Sequence, residues 1–318
     1  MKIPKKLLLA NLPTPIQQKV FRGKPFFIKR DDFTGLEMSG NKVRKLEYLM
    51  YDAKNQGVNY VFTCGGEQSN HSRATAIAAA SIGVKSKLFL WGKEKVNADG
   101  NLFIDRFVNS EIRYLTKSEY SDVNEIMLNE KKQFTKRRKK VYIIPEGGTS
   151  PLGIWGYIEF MKELKTQVSG QEITGITVAA GSGGTAAGLL VGAELYNLNL
   201  KVFAVNVLYS AKIIRKKIEE VAQACVEKYK LDINLNFNQL EILDGYSKEG
   251  YKHIASEKIK VIRSFTEESG IILDPAYTGK AFYAFQENFL NRKKKTKVLF
   301  LHTGGIFGAF AKRKNYLR

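Results

Sequence analysis

The chain has 318 residues, 44% of them hydrophobic, and a formal charge of +20 from 51 Lys and Arg against 31 Asp and Glu. That length allows a substantial core and two domains. No apolar run is long enough to span a bilayer, and Leu7-Leu8-Leu9-Ala10 is too short for a secretory core, so a cytoplasmic protein is expected. Only Cys64 and Cys225 are present, and the histidines His71, His253 and His302 lie far apart, which argues against a disulfide framework or a metal site.

In chain order, the stretch to Pro25 carries Pro13 and Pro15 and reads as irregular, after which Phe26-Phe27-Ile28-Lys29 reads as a short strand. Ser39-Gly40-Asn41-Lys42 is a glycine-bearing turn that sets Lys42 at the start of a helix. Val43, Leu46, Tyr48, Leu49 and Met50 give that helix a buried side. From Leu46 to Ile144 the strand-like runs 60–63, 87–90, 112–115 and 141–144 alternate with helical ones, including the alanine-rich Thr75 to Ile82, which implies a parallel sheet with crossover helices. Pro145 to Gly153 is the densest Pro/Gly punctuation and marks a domain junction. Beyond it come a helix from Trp155 to Leu164, strands at 176–180 and 201–205, a helix from Thr185, long helical stretches over 210–230 and 252–268, and a last strand, Val298-Leu299-Phe300-Leu301, that is expected to close the sheet at its margin. The basic runs Lys136 to Lys140 and Arg292 to Lys295 precede strands and lack interleaved aromatics, so they read as solvated surface and not as a nucleic-acid site.

Three stretches carry chemistry. A lysine met without context is ordinarily a solvated side chain. Here Gly65-Gly66-Glu67-Gln68-Ser69-Asn70-His71 and Gly181-Ser182-Gly183-Gly184-Thr185-Ala186-Ala187-Gly188 each follow an apolar strand and open a helix, giving two N-termini that suit a cofactor phosphate and a substrate carboxylate. A lysine that bonds to pyridoxal phosphate needs that setting. Gly181-x-Gly183-x-x-Ala186 also meets the looser dinucleotide fingerprint, but the next strand ends Val205-Asn206-Val207, with no acid for a ribose. Ser69 or Asn70 as a plain helix cap is an equal reading of the second stretch taken alone. A lone tyrosine such as Tyr277 is more often packing than chemistry.

Together, Gly40-Asn41-Lys42-Val43-Arg44-Lys45-Leu46-Glu47-Tyr48, Gln68-Ser69-Asn70, Gly181 to Thr185, Leu273 to Lys280 and His302-Thr303-Gly304-Gly305 resemble, in order, the pyridoxal-phosphate fold type II group, in its 1-aminocyclopropane-1-carboxylate deaminase and D-cysteine desulfhydrase branch. The resemblance implies an α/β, tryptophan synthase β-like architecture with two mostly parallel sheets flanked by helices: a large cofactor-binding domain from 1–45 and 154–318, and a small domain, 46–153, inserted in it. It implies that Lys42 holds the cofactor, that Asn70 contacts the ring's phenolic oxygen, that Ser182, Gly183, Gly184 and Thr185 bind the phosphate, and that Ser69 contacts substrate. Tyr277 matches the family's active-site tyrosine and Tyr246 a second one. Thr278 and Thr303 stand where the family's deaminases resemble one another in having Glu and Leu and where the desulfhydrase branch carries hydroxyls. The function this implies is β-elimination on a small amino acid, D-cysteine first, with the deaminase, or a lyase for D-serine, β-chloroalanine or cysteate, as alternatives. A homodimer is the implied assembly. Glu67 departs from the family's apolar preference.

Overall fold

The protein is described by a computed structural model covering residues 2–170, 172–251, 253–292 and 296–317. Lys252, expected to open a helix, and Lys293, Lys294 and Lys295 of the second basic run lie outside the described residues. The strands are β1 (Ile16–Phe21), β2 (Lys24–Arg30), β3 (Tyr60–Gly66), β4 (Lys85–Trp91), β5 (Glu111–Leu115), β6 (Val141–Ile143), β7 (Gly175–Ala180), β8 (Lys201–Asn206), β9 (Leu240–Leu243) and β10 (Val298–His302). The helices are α1 (Lys42–Asn55), α2 (Asn70–Ser81), α3 (Gly100–Phe107), α4 (Lys117–Ser121), α5 (Val123–Lys136), α6 (Trp155–Gln167), α7 (Gly184–Leu195), α8 (Ala211–Tyr229), α9 (Ser256–Ser269), α10 (Thr278–Phe285), α11 (Ile306–Ala311) and α12 (Arg313–Tyr316). No described helix is long and apolar enough to cross a membrane.

Two sheets result. One has the order β1-β2-β10-β7-β8-β9, parallel except for the antiparallel β1-β2 hairpin; the other is β5-β4-β3-β6, parallel throughout. The central strands β7 and β10, and β8 beyond Lys201, are buried at every position and mostly apolar because both faces are covered. Their alternate residues divide between two cores: Ile176, Val178, Val202, Ala204, Leu299 and Leu301 pack toward α6, α7 and α8, while Ala179, Phe203, Val205, Val298 and Phe300 pack toward α9 and α10. Two expectations need correction. The stretch before Pro25 is not all irregular, since Ile16–Phe21 pairs with β2 as an edge strand. The last strand does not lie at the margin of its sheet but between β2 and β7.

A buried ionic knot fixes α1 on the side away from the cleft. Asp31, just after β2, accepts hydrogen bonds from Arg44 Nε and Nη2, both 2.9 Å, from Thr14 Oγ1 at 2.8 Å and from the Tyr157 hydroxyl. Glu163 of α6 takes Arg44 Nη1 at 2.9 Å and pairs with Lys29. Burial alone would raise the Asp31 carboxyl, but the Arg44 charge and hydrogen bonds outweigh it and hold it below the usual range. Its stabilising contribution is therefore present above the unfolded value of about 3.9 and is lost as pH falls through the lower folded value. Breaking a buried pair by deleting one partner costs about 3–5 kcal/mol. Asp31→Ala is expected to lose that much in denaturant unfolding at pH 7, and the deficit should shrink below pH 4; a loss under about 1 kcal/mol would contradict this reading of the knot.

Candidate active site

The chemistry-bearing residues gather where strands end. Parallel sheets leave ligand-sized crevices at their C-terminal edges, and the segments after β3, β7 and β10 lead here into the 65–72, 181–185 and 303–305 stretches. Lys42 is the first residue of α1. The turn before it packs against the end of β10: Asn41 N donates to Thr303 O at 3.1 Å, and a Cβ on Gly40, whose φ is +102°, would lie 2.6 Å from that same oxygen. Asn41 links lysine and glycine loop, because its Nδ2 donates to Thr185 Oγ1 at 2.9 Å and its Oδ1 accepts from Lys42 Nζ at 3.1 Å. Burial lowers the Lys42 amine to about 8; Asp274 and Glu146 oppose that shift and Arg73 adds to it.

The glycine loop is shaped for an anion. Gly183 has φ +87° and precedes α7, so the first N–H groups of that helix are free of internal partners. A Cβ on Gly184 would lie 2.5 Å from Thr149 Oγ1 and 2.9 Å from Lys45 Nζ. Ser182 Oγ is 2.7 Å from Thr149 Oγ1. Lys45, one helical turn beyond Lys42, is 1% exposed and donates to Gly147 O at 3.1 Å. Among the described residues no carboxylate pairs with it, and burial, then the neighbouring Lys42, hold its amine well below the usual value. A buried cation beside a glycine-rich helix N-terminus fits a phosphate, so the residues present suit a phosphorylated cofactor.

Ser69 is the N-cap of α2, its Oγ accepting from Ser72 N at 3.2 Å, and Asn70 Oδ1 accepts from Asn101 Nδ2 at 3.1 Å. A cavity beside them is lined by Glu67, Gln68, Asn70, Tyr251, Asp274 and Tyr277 among others; Lys42 and the 181–185 loop do not line it. Thr278 Oγ1 donates to Asp274 Oδ1 at 2.7 Å and accepts from Asp274 N at 2.8 Å, so the one proton of that hydroxyl is engaged. Asp274 also accepts the N–H groups of Ala276, Tyr277 and Thr278 at the start of α10. Thr303 follows β10 and is 8% exposed.

The structure does not bring Tyr246 to this group. Its hydroxyl donates to Glu287 Oε2 at 2.8 Å and accepts from Asn288 Nδ2 at 3.1 Å. Tyr251 lines the cavity instead: it meets the Tyr277 ring edge to face with centroids 5.8 Å apart and donates to Gln68 O at 3.0 Å. A Cβ on Gly66 would lie 2.9 Å from the Tyr251 ring, so the glycine makes room for it. Sequence reasoning also missed Lys45, Asp274 and Glu146, the last holding the Tyr120 and Tyr209 hydroxyls at 2.8 and 3.0 Å. Spacing offered one clue, since Lys45 sits three residues from Lys42 on the same helix face.

Comparison with known proteins decides the family. Residues 7–304 match the model of the pyridoxal-phosphate dependent enzymes. The chain belongs to that family. A Thermotoga maritima relative named "Putative 1-aminocyclopropane-1-carboxylate deaminase" is 41% identical over 96% of this chain and 98% of its own length. The mitochondrial bifunctional D-cysteine desulfhydrase/1-aminocyclopropane-1-carboxylate deaminase of Arabidopsis thaliana is 38% identical over 96% of this chain and 79% of its own. The crystal structure of an ACC deaminase homologue superposes with a TM-score of 0.89 at 35% identity, covering 99% of this chain and 96% of that one. This pyridoxal-phosphate enzyme therefore has the fold type II architecture and acts as a lyase on a small amino acid.

Proposed function

We propose that this lyase carries out β-elimination on D-cysteine, giving pyruvate, ammonia and sulfide. The observation that carries the reading is the pair of neutral hydroxyls, Thr278 and Thr303: Thr278 is already engaged by Asp274, and Asp274 is turned onto the start of α10. Neither hydroxyl can hold a proton on a ring nitrogen as a carboxylate does, and elimination of a good leaving group demands less of the electron sink than opening a cyclopropane.

When bound, pyridoxal phosphate supplies the sink for the electron pair left at Cα. Ser182, Gly183, Gly184, Thr185 and Lys45 hold its phosphate in this reading, with Asn70 and Thr303 toward the ring. The N–H groups opening α2, with Ser69, hold the substrate carboxylate. Lys42 Nζ takes the Cα proton, which its amine at about 8 suits better than an ordinary lysine. Burial raises the Tyr251 and Tyr277 phenols above their usual value, so both keep their protons at neutral pH and act as donors. The Cα–H and Cβ–S bonds break, and water converts the released aminoacrylate to pyruvate and ammonia. Glu67 lines the cavity with its carboxylate held by Lys95 at 2.8 Å, which weighs against an anionic side chain such as that of cysteate. The proposal includes the division into 1–45 with 154–318 and an inserted 46–153, supported by the membership of the two sheets, although α1 runs unbroken across position 45. A homodimer and a cytoplasmic setting rest on the resemblance and the composition.

A second reading, conversion of 1-aminocyclopropane-1-carboxylate to 2-oxobutanoate and ammonia, is favoured by the names of the relatives. Parallel assays separate the two: sulfide and pyruvate from D-cysteine with no 2-oxobutanoate from the cyclopropane support the proposal, and the reverse refutes it. In the same assay Tyr251→Phe is expected to lower kcat/KM by roughly 10²-fold, as loss of a positioned proton donor does, while Tyr246→Phe stays within about twofold. The opposite ranking would return Tyr246 to the site.

A further inference from the structure

Arg73 lies outside the groups assigned above, yet its side chain meets both the lysine turn and α11. It is fully buried on α2, one turn beyond Asn70. Its two terminal nitrogens donate to carbonyls of the lysine turn, Nη1 to Glu37 O and Nη2 to Ser39 O at 3.0 Å. The Phe307 ring of α11 covers the guanidinium at 4.7 Å. Burial lowers the Arg73 guanidinium and raises the buried Asp105 carboxyl of α3, and the attraction between the two groups opposes both shifts. Asn70 and Arg73 are three apart on α2, while Asn101 and Asp105 are four apart on α3, and the Asn70–Asn101 bond joins the two helices.

The lysine turn needs such a brace. Asn41, the N-cap of α1, makes no side-chain cap bond, so α1 begins without the usual local anchor. One side of the turn is held by Thr34 and Thr303, through Gly40 N to Thr34 Oγ1 at 2.9 Å and Asn41 N to Thr303 O at 3.1 Å. Two carbonyls of the turn, those of Glu37 and Ser39, are held by Arg73. A planar fork can take two carbonyls at once; an ammonium is a point charge and cannot reproduce that geometry.

We propose that Arg73 is a positioning residue that clamps the lysine turn to α2, so that the α2 N-terminus, which receives the substrate, and the Lys42 amine keep one fixed separation. The inference rests on the reading of Lys42 as the cofactor-bonding lysine. It predicts a loss in the chemical step with little change in substrate binding, because a displacement of about 1 Å at the reacting groups costs on the order of 10²-fold.

The test uses the full chain carrying Arg73→Lys, with Phe307→Ala as a milder second variant because its side chain is only half-buried. Hydrogen exchange is followed in the cofactor-free protein at the Ser39, Gly40 and Asn41 amides and, as a reference, in β7 and α7. Local opening at the turn is expected to rise about 10- to 100-fold in Arg73→Lys and less in Phe307→Ala, with the reference segments unchanged. In the loaded enzyme kcat is expected to fall about 10²-fold with KM within about threefold. Unchanged exchange at the turn in both variants, or a uniform increase across all segments, overturns the proposal. A Lys42→Ala control separates the two readings: a cofactor absorbance that survives it removes the lysine reading and this inference with it. A band that depends on Lys42 beside an unmoved turn removes the Arg73 clamp alone.

Discussion

Lys42→Ala is expected to abolish the visible cofactor absorbance of the purified protein and to lower turnover of D-cysteine by on the order of 10³-fold or more, since one substitution removes both the cofactor's covalent anchor and the base at Cα. The fold should survive it. Lys42 is half-buried and its amine is pushed down to about 8 chiefly by desolvation, so removing the charge relieves a cost and leaves no hydrogen-bond partner stranded apart from Asn41 Oδ1. The same shift predicts a pH dependence. Bonding to the cofactor requires the neutral amine, so the rate at which cofactor-free protein captures pyridoxal phosphate should climb through a midpoint near 8 and not near the 10.5 of an ordinary lysine. Stopped-flow absorbance across pH 6–10 reads it, and a midpoint near 10.5 would show that the amine is more solvated than the structure has it.

Lys45→Met is expected to act with opposite signs on the empty and the loaded protein. In the empty protein Lys45 is a buried amine whose bonded partner is Gly147 O, and burial, then the neighbouring Lys42, hold it well below the usual value. Replacing it with a methionine of similar reach removes that cost and should raise the thermal midpoint of the cofactor-free form. In the loaded protein the same change removes the buried cation beside Gly184, where the phosphate is expected. Charge-assisted hydrogen bonds contribute about 1.5–3 kcal/mol, so cofactor affinity should fall roughly 10- to 100-fold. Absorbance titration and unfolding scans on the two forms give both signs. An unchanged cofactor affinity would place the phosphate elsewhere than at the 181–185 loop.

The parts of this site legible in the sequence are those written locally. Ser69-Asn70 and Gly181 to Thr185 each follow from glycine at a strand end with a helix opening after it, and Gly40-Asn41-Lys42 from a glycine turn that opens a helix, patterns that need no knowledge of the rest of the chain. What stayed hidden depends on distant partners. β1 carries Gln17, Gln18 and Lys19 and is a strand only because β2 pairs with it. β10 reads as a terminal strand, yet its place between β2 and β7 is set by crossovers that no local pattern records. Tyr246 and Tyr251 are five residues apart on one loop. The cleft receives Tyr251 because Gly66 has no side chain to block its ring and Gln68 O lies at its hydroxyl. Lys45 and Arg73 read as surface charges by type, and only the packing of α1 and α2 against the remaining elements reveals that both are buried.

The central claim is that Lys42 holds the cofactor at this cluster of strand ends. The most direct measurement is borohydride reduction of the purified holoenzyme followed by peptide mass mapping, which fixes the cofactor's mass on the residue that carries it. The account predicts that mass on the peptide spanning Lys42, with Lys45 unmodified. Finding it on Lys45, on any other lysine, or on none would contradict the account.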